Sequence, residues 1–203
     1  KPDLSSRESL VRTLLESGAW PLLRQRPFDV LPDPAITPRD IFISCFDTAP
    51  LAVDPAHLLE GREEAFLQGL DVLRRLTAGS VHLSIAPGSA DLFRKAPGVK
   101  VHTFSGPHPA GAVGVQIHHI APIAKGHTVW TIRPQDVAII GTLVHSGIFD
   151  ARRTVALTGA ELKTRGLVDT RIGAAVAPWI ADNLASRSEE HTSELQSMTN
   201  LVC

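Results

Sequence analysis

From Asp40 to Ser146, short β-branched runs alternate with stretches of helical periodicity, and that alternation leaves few folds open. Asp40–Phe46 (DIFISCF) has the continuous apolar character of a strand covered on both faces. Glu63–Leu76 repeats Phe66, Leu67, Leu70, Leu73 and Leu76 at helical spacing, with Gly79 placed to cap it. Strands are expected over Val81–Ile85 and Val99–Phe104, with a short helix over Ser89–Lys95 between them. A helix over Val113–Ile120, a strand over Thr128–Ile132 and a proline-led helix over Pro134–Ser146 complete the series. Strand–helix–strand order of this kind predicts an α/β fold with a largely parallel sheet.

The flanks read differently. An S-x-x-E pair, Ser5 and Glu8, has the form of a capping box; Leu10, Val11, Leu14 and Leu15 follow it, and Gly18 is placed to end the helix. Ala19–Arg39 carries Pro21, Pro27, Pro32, Pro34 and Pro38 and is expected to be a loop. Beyond Asp150, strands over Arg153–Thr158 and Leu167–Thr170 precede a helix over Ala174–Leu184 interrupted at Pro178. The expected organisation is a lead-in over residues 1–38, an α/β domain over 39–150, and the opening of a small second domain over 151–185. From Ser186 the texture turns polar and aperiodic. Arg187–Ser197 (RSEEHTSELQS) matches the translation of a sequencing-library adapter, so residues 186–203 are expected to be a non-native tail. A second domain cut short there predicts exposed apolar surface around Val155, Leu157 and Trp179, and poor solubility.

Composition excludes several classes. Twenty Lys and Arg against 21 Asp and Glu leave a formal charge of -1, without the basic excess of a phosphate-neutralising nucleic-acid binder. The two cysteines, Cys45 and Cys203, form neither a disulfide framework nor an iron–sulfur ligand set on this chain. No apolar run approaches the ~18 residues that span a bilayer.

Among polar groups, seven of the nine histidines lie between His57 and His127, but none has metal-ligand spacing, and unrelated surface and loop positions are the simpler reading. Gly106–Gly111 (GPHPAG) is open to two readings, a phosphate cradle at a helix start or a rigid turn; Pro107 and Pro109 lack the N–H groups a cradle needs. Arg24, Arg26 and Phe28, in LRQRPF, offer guanidinium donors for a carbonyl or carboxylate beside a ring that stacks on a flat headgroup. By chemistry alone this group also fits a solvated loop anchored by one buried phenylalanine. No nucleophile elbow, Walker loop or dinucleotide fingerprint is present.

Four strings carry a resemblance: Arg39–Ala52 (RDIFISCFDTAPLA), Phe104–Ile123 (FSGPHPAGAVGVQIHHIAPI), Gly126–Gly141 (GHTVWTIRPQDVAIIG) and Arg153–Lys163 (RTVALTGAELK). Glu16–Asp29 (ESGAWPLLRQRPFD) fits the same pattern. Together they resemble the NqrA family of the sodium-translocating NADH:quinone oxidoreductase. The resemblance implies a peripheral subunit on the cytoplasmic face of the bacterial inner membrane. It would contribute to quinone binding and reduction and to assembly, in a complex that couples NADH oxidation to Na+ export. The implied fold is Rossmann-like, akin to the flavoprotein subunit of complex I, followed by a truncated SLBB (β-grasp) segment.

The resemblance further implies the membrane protein NqrB and the rest of the complex as partners and ubiquinone as substrate, with no nucleic acid. No cofactor would sit on this chain, while FMN, FAD, riboflavin and iron–sulfur centres would sit on other subunits, so no complete active site is expected here. In the complex I relative a glycine-rich loop after the first helix holds flavin and NADH. The matching stretch here, Ser17–Asp29, keeps only Gly18, and Arg and Phe side chains are expected to fill the space. A quinone headgroup is then assigned to Arg24, Arg26 and Phe28. The alternatives are a non-catalytic docking module with a degenerate nucleotide fold, and an Rnf-like electron-transfer subunit, for which the cluster cysteines are missing.

Overall fold

The computed structural model describes residues 6–185. Contacts divide the chain into two units, Lys1–Asp150 and Ala151–Cys203.

The first unit opens with α1 (Arg7–Glu16), a 3-10 turn (Trp20–Leu22) and β1 (Arg24–Arg26). Then follow β2 (Ile41–Cys45), the single-turn α2 (Pro55–Leu58), α3 (Glu63–Leu76), β3 (Val81–Ile85), α4 (Asp91–Arg94), β4 (Lys100–Thr103), α5 (Val113–Ile120), β5 (Val129–Ile132) and α6 (Pro134–Ser146). Four elements keep their predicted ends: α3, β3, α5 and α6. The capping box at α1 is Ser6 with Ser9, not Ser5 with Glu8: Ser6 Oγ accepts from the Ser9 amide at 3.1 Å and Ser9 Oγ accepts from the Ser6 amide at 3.0 Å. Ser5 lies outside the described residues. Leu10, Val11 and Leu14 are buried, while Leu15 turns out to solvent.

The five strands lie in the order β1-β5-β2-β3-β4. β5, β2, β3 and β4 run parallel, and β1 pairs antiparallel with β5 at the edge. The stretch expected to be a loop therefore contributes an edge strand. Its proline sits just past the last ladder residue, so no sheet amide is lost.

Pairing register sorts the strand residues onto two faces. One face carries Ile41, Ile43, Val81, Leu83, Trp130 and Ile132 and merges with α1, α3 and α6 in a single core. Here α3 and α6 cross very closely. A methyl group at Gly141 would overlap the Ala65 carbonyl, and one at Gly69 would overlap the Val137 carbonyl, so both positions require glycine. The other face carries Phe42, Ser44, His82, Ser84, Lys100, His102, Val129, Thr131, Arg24 and Arg26. Its apolar cluster is small: Phe42, Ile117 and Val129, with Val113, Ile120, Ala121 and Ile123 against them. The crossover from β4 to β5 travels back over the sheet, opposite to the steps from β2 to β4, so a constant hand places α5 on the opposite face from α3.

The second unit holds β6 (Arg152–Leu157) and β7 (Gly166–Arg171), an antiparallel pair, and α7 (Ala177–Ile180). The helix expected over Ala174–Leu184 is a single turn, starting with Pro178 in its first positions. The expected apolar exposure is partly wrong: Val155 is buried, and Leu157 and Trp179 are half-buried. Among the described residues of this unit, Leu167 and Ile172 are the exposed large apolar side chains. The adapter-like stretch lies outside the described residues. No helix among the described residues is long and apolar enough to cross a membrane.

Candidate functional site

Arg24 and Arg26 stand two residues apart on β1 and so share one side of the strand, opposite Thr131 and Val129 of β5. The chain then reverses. Gln25 and Val30 exchange backbone hydrogen bonds at 2.8 and 3.2 Å, closing a tight turn over Arg26–Asp29. The Arg26–Pro27 bond in that turn is cis, and Asp29 adopts a left-handed backbone (φ 55°). Arg26 is steadied by Asp29 at 3.4 Å.

Phe28 is the tip of this turn and is 81% exposed, so the expectation of a phenylalanine anchoring the loop from inside fails. Trp20 and Leu23 anchor it instead. Both are buried; Trp20 meets Trp130 edge-on at 5.4 Å, and its indole N–H donates to the Pro32 carbonyl at 2.9 Å. Arg24 and Phe28, expected to fill space inside the fold, face solvent instead. Val30 and Leu31 are also exposed and extend the apolar tip. The structure therefore presents Arg24, Arg26 and Phe28 on one hairpin, as a projecting tip rather than a cleft.

The sheet order reverses between β2 and β5, which makes the carboxyl ends of those strands the usual ligand crevice of an open α/β sheet. The Gly106–Gly111 loop closes down on that end of β2. The Gly111 amide donates to Thr48 Oγ1 at 2.9 Å, Ala110 donates to the Pro107 carbonyl at 2.9 Å, and Ala112 donates to the Pro109 carbonyl at 2.8 Å. A methyl at Gly111 would overlap the Thr48 amide nitrogen. Those three amides are engaged within the chain, as in a turn. Gln116 of α5 is fully buried and donates Nε2 to the carbonyls of Gly111 (3.2 Å) and Ala110 (3.3 Å). Its Oε1 is buried without a hydrogen-bond partner.

Two histidines read as surface or loop residues lie on adjacent strands, one buried and one half-buried. His82 is 5% exposed, and its Nδ1 lies 2.9 Å from Nε2 of His102 on the neighbouring strand. Its Nε2 faces Asp40 Oδ1 at 3.4 Å, and its ring stacks on Phe42 at 4.6 Å. Burial pushes His82 down against the upward pull of Asp40, with His102 and Lys100 adding to the lowering. His102 is likewise lowered, by burial and then by Lys100. Burial pushes Asp40 up, but the Ser80 amide, Arg39 and His82 outweigh it and hold the carboxyl below its usual range. The signal for this pair is the strand alternation itself, which puts His82 and His102 on the same face once β3 and β4 are paired. The other five histidines of the stretch, His57, His108, His118, His119 and His127, are exposed. No group of three metal-ligating side chains occurs among the described residues.

Comparison with known proteins agrees with this architecture. The family described as "NqrA second alpha/beta domain" matches residues 5–149. The NqrA protein of the Na(+)-translocating NADH-quinone reductase of Alcanivorax borkumensis is 46% identical over 171 residues, 84% of this chain and 38% of that protein. Its counterpart in Rhodopirellula baltica is 42% identical over 171 residues, and that in Serratia proteamaculans is 44% identical over 180 residues, covering 88% of this chain and 40% of that protein. The chain thus spans about 40% of the length of these relatives. Among solved structures, the crystal structure of an NAD+-reducing NiFe-hydrogenase in the H2-reduced state has a chain that aligns over 88% of this one. Its TM-score is 0.62 at 12% identity, with 39% of that chain covered, a likeness of fold alone. With 145 of its residues matched to the family's second α/β domain and relatives above 40% identity, the chain belongs to the NqrA family of the Na(+)-translocating NADH-quinone reductase.

Proposed function

We propose that this chain is the quinone-facing α/β part of a peripheral NqrA protein, working within a sodium-pumping NADH:ubiquinone reductase at the cytoplasmic face of the bacterial membrane. The single observation that supports it most is the hairpin tip, where Phe28 projects into solvent with Arg24 and Arg26 on the strand behind it. A guanidinium N–H donated to a quinone carbonyl is a charge-assisted hydrogen bond, and it strengthens as negative charge develops on that oxygen during reduction. The Phe28 ring supplies the flat face for the headgroup. Asp29 holds Arg26 in place, so less side-chain freedom is lost on binding.

On this reading the chain binds and orients quinone, and flavin and iron–sulfur chemistry belongs to the other subunits, with NqrB as the membrane neighbour. We read the first unit as Rossmann-like because its parallel strands run β5-β2-β3-β4, a doubly wound order. The β6–β7 hairpin fits the start of an SLBB-type segment. The test is Arg26→Ala in the complete complex. Loss of a charged hydrogen bond predicts a quinone KM raised on the order of tenfold. Unchanged quinone affinity and turnover would end the proposal.

A second reading has its own observation. Phe28, Val30 and Leu31 form a run of exposed apolar side chains, which fits a docking module that holds the complex together without touching quinone. Under it, the same substitution lowers the yield of assembled complex and leaves the quinone KM of the assembled fraction unaltered.

A further inference from the structure

A chain of contacts runs across the polar face of the sheet from its β4 edge to the end of α5. His102 Nε2 meets His82 Nδ1 at 2.9 Å, and His82 Nε2 meets Asp40 Oδ1 at 3.4 Å. Asp40 Oδ1 also accepts from the Ser80 amide at 3.0 Å, and Oδ2 accepts from Arg39 Nε at 2.7 Å. The rest of the Arg39 guanidinium donates to the carbonyls of Ala121 (2.7 Å) and Pro122 (3.1 Å), which lie at the C-terminal end of α5. We propose that His102, His82, Asp40 and Arg39 form a proton-sensitive latch that fastens the C-terminal end of α5 to the sheet.

Proton placement gives the latch its two states. With His82 Nε2–H donating to Asp40, His82 Nδ1 must accept, so the proton in the histidine pair belongs to His102 Nε2. A first added proton goes to His102 Nδ1 and leaves that bond intact. A second has only His82 Nδ1 to occupy. Two N–H groups then face each other across 2.9 Å and the pair separates. His82, now charged beside Asp40, competes with Arg39 for the carboxylate, and the hold on Ala121 and Pro122 loosens.

The surroundings oppose both protons. From β4, Lys100 adds a like charge to both, and Arg39, just before β2, is paired with Asp40. The inward side of α5 offers Gln116 and Ile117, while His118 and His119 are exposed. From the α5–β5 connection, His127 Nδ1 lies 3.1 Å from Arg39 Nη1. Asp40 is the anion in contact with His82.

The experiment uses the full chain. Imidazole nitrogen shifts are followed through a pH titration alongside amide exchange at Ala121, whose N–H donates to the Ile117 carbonyl at 2.9 Å. His82 and His102 should titrate in two coupled steps below the ordinary histidine range. Exchange at Ala121 should speed up on the order of tenfold beyond its intrinsic pH dependence across the second step. His102→Asn, on the half-exposed edge strand, should abolish the coupling and flatten the pH response of Ala121. His127→Asn should retain both. Independent titration of His82 and His102 would overturn the latch, as would the same acid opening of α5 in His102→Asn.

Discussion

The two faces of one five-stranded sheet are built for different ends. The face toward α1, α3 and α6 is closed by large apolar side chains and by two helices that touch backbone to backbone at Gly69 and Gly141. The face toward α5 carries serines, histidines and cations in the same alternating positions, with only a small apolar cluster under the helix. A parallel sheet is normally apolar on both sides, because crossover helices cover both. Here the polar face is covered by the eight-residue α5, and the edge strand β1 carries Arg24 and Arg26 on that same side. One face is closed by apolar packing, and the other carries the polar and titratable side chains of the sheet.

That contrast breaks if the apolar face proves tolerant. Gly141→Ala puts a methyl into the Ala65 carbonyl with no room to give, and should destabilise the first unit by about 3 kcal/mol or more, read by chemical denaturation. A loss under ~0.5 kcal/mol would show that α3 and α6 are not locked together. Next in size, Ser6→Ala removes the side-chain acceptor for the Ser9 amide at the start of α1 and should cost about 1 kcal/mol by the same measurement.

Acidification sharpens the comparison from the polar side. His82 and His102 are lowered in the folded chain, so the unfolded chain takes up protons first. Their contribution is complete above about pH 6.5 and is lost as pH falls below that value. Asp40 is lowered too, so its contribution fades only in the more acidic range of carboxylates. Thermal melts should therefore fall in two stages on acidification, and replacing both histidines by Asn should remove the first. A single carboxylate-range decline in the unaltered chain would count against a buried neutral pair. Phe28→Ala should leave stability within about 0.5 kcal/mol, because the side chain is largely exposed. A larger drop in a urea melt would mean that the tip serves the fold.

How much of this was legible depends on what each signal rests on. The ends of α3, β3, α5 and α6 were readable because amphipathic spacing and flanking breakers agree there. β1 was not. Arg24–Arg26 has no strand composition and becomes a strand because the exposed edge of β5 offers it a partner. Phe28 was misplaced for a related reason. The proline-rich stretch holds two aromatics, Trp20 and Phe28, and it is Trp20, with Leu23, that takes the core position. Gly79 was expected to cap α3, but the cap is Thr77, and Gly79 is needed where the chain passes the Arg39 carbonyl. The histidine pair required register: neither VHLSI nor VKVHTF shows it alone, and pairing β3 with β4 makes it plain. The choice of Arg24 and Arg26 as quinone contacts came from the family resemblance, since their chemistry fits a solvated loop equally well.

The most direct test of the hairpin is a photoreactive benzoyl-phenylalanine in place of Phe28 in the complete complex. Irradiation with ubiquinone present should join quinone to this position, and an excess of a short-chain quinone should suppress the product. Crosslinking only to a neighbouring protein of the complex, with a yield indifferent to quinone, would contradict a quinone-facing tip and leave the docking role in its place.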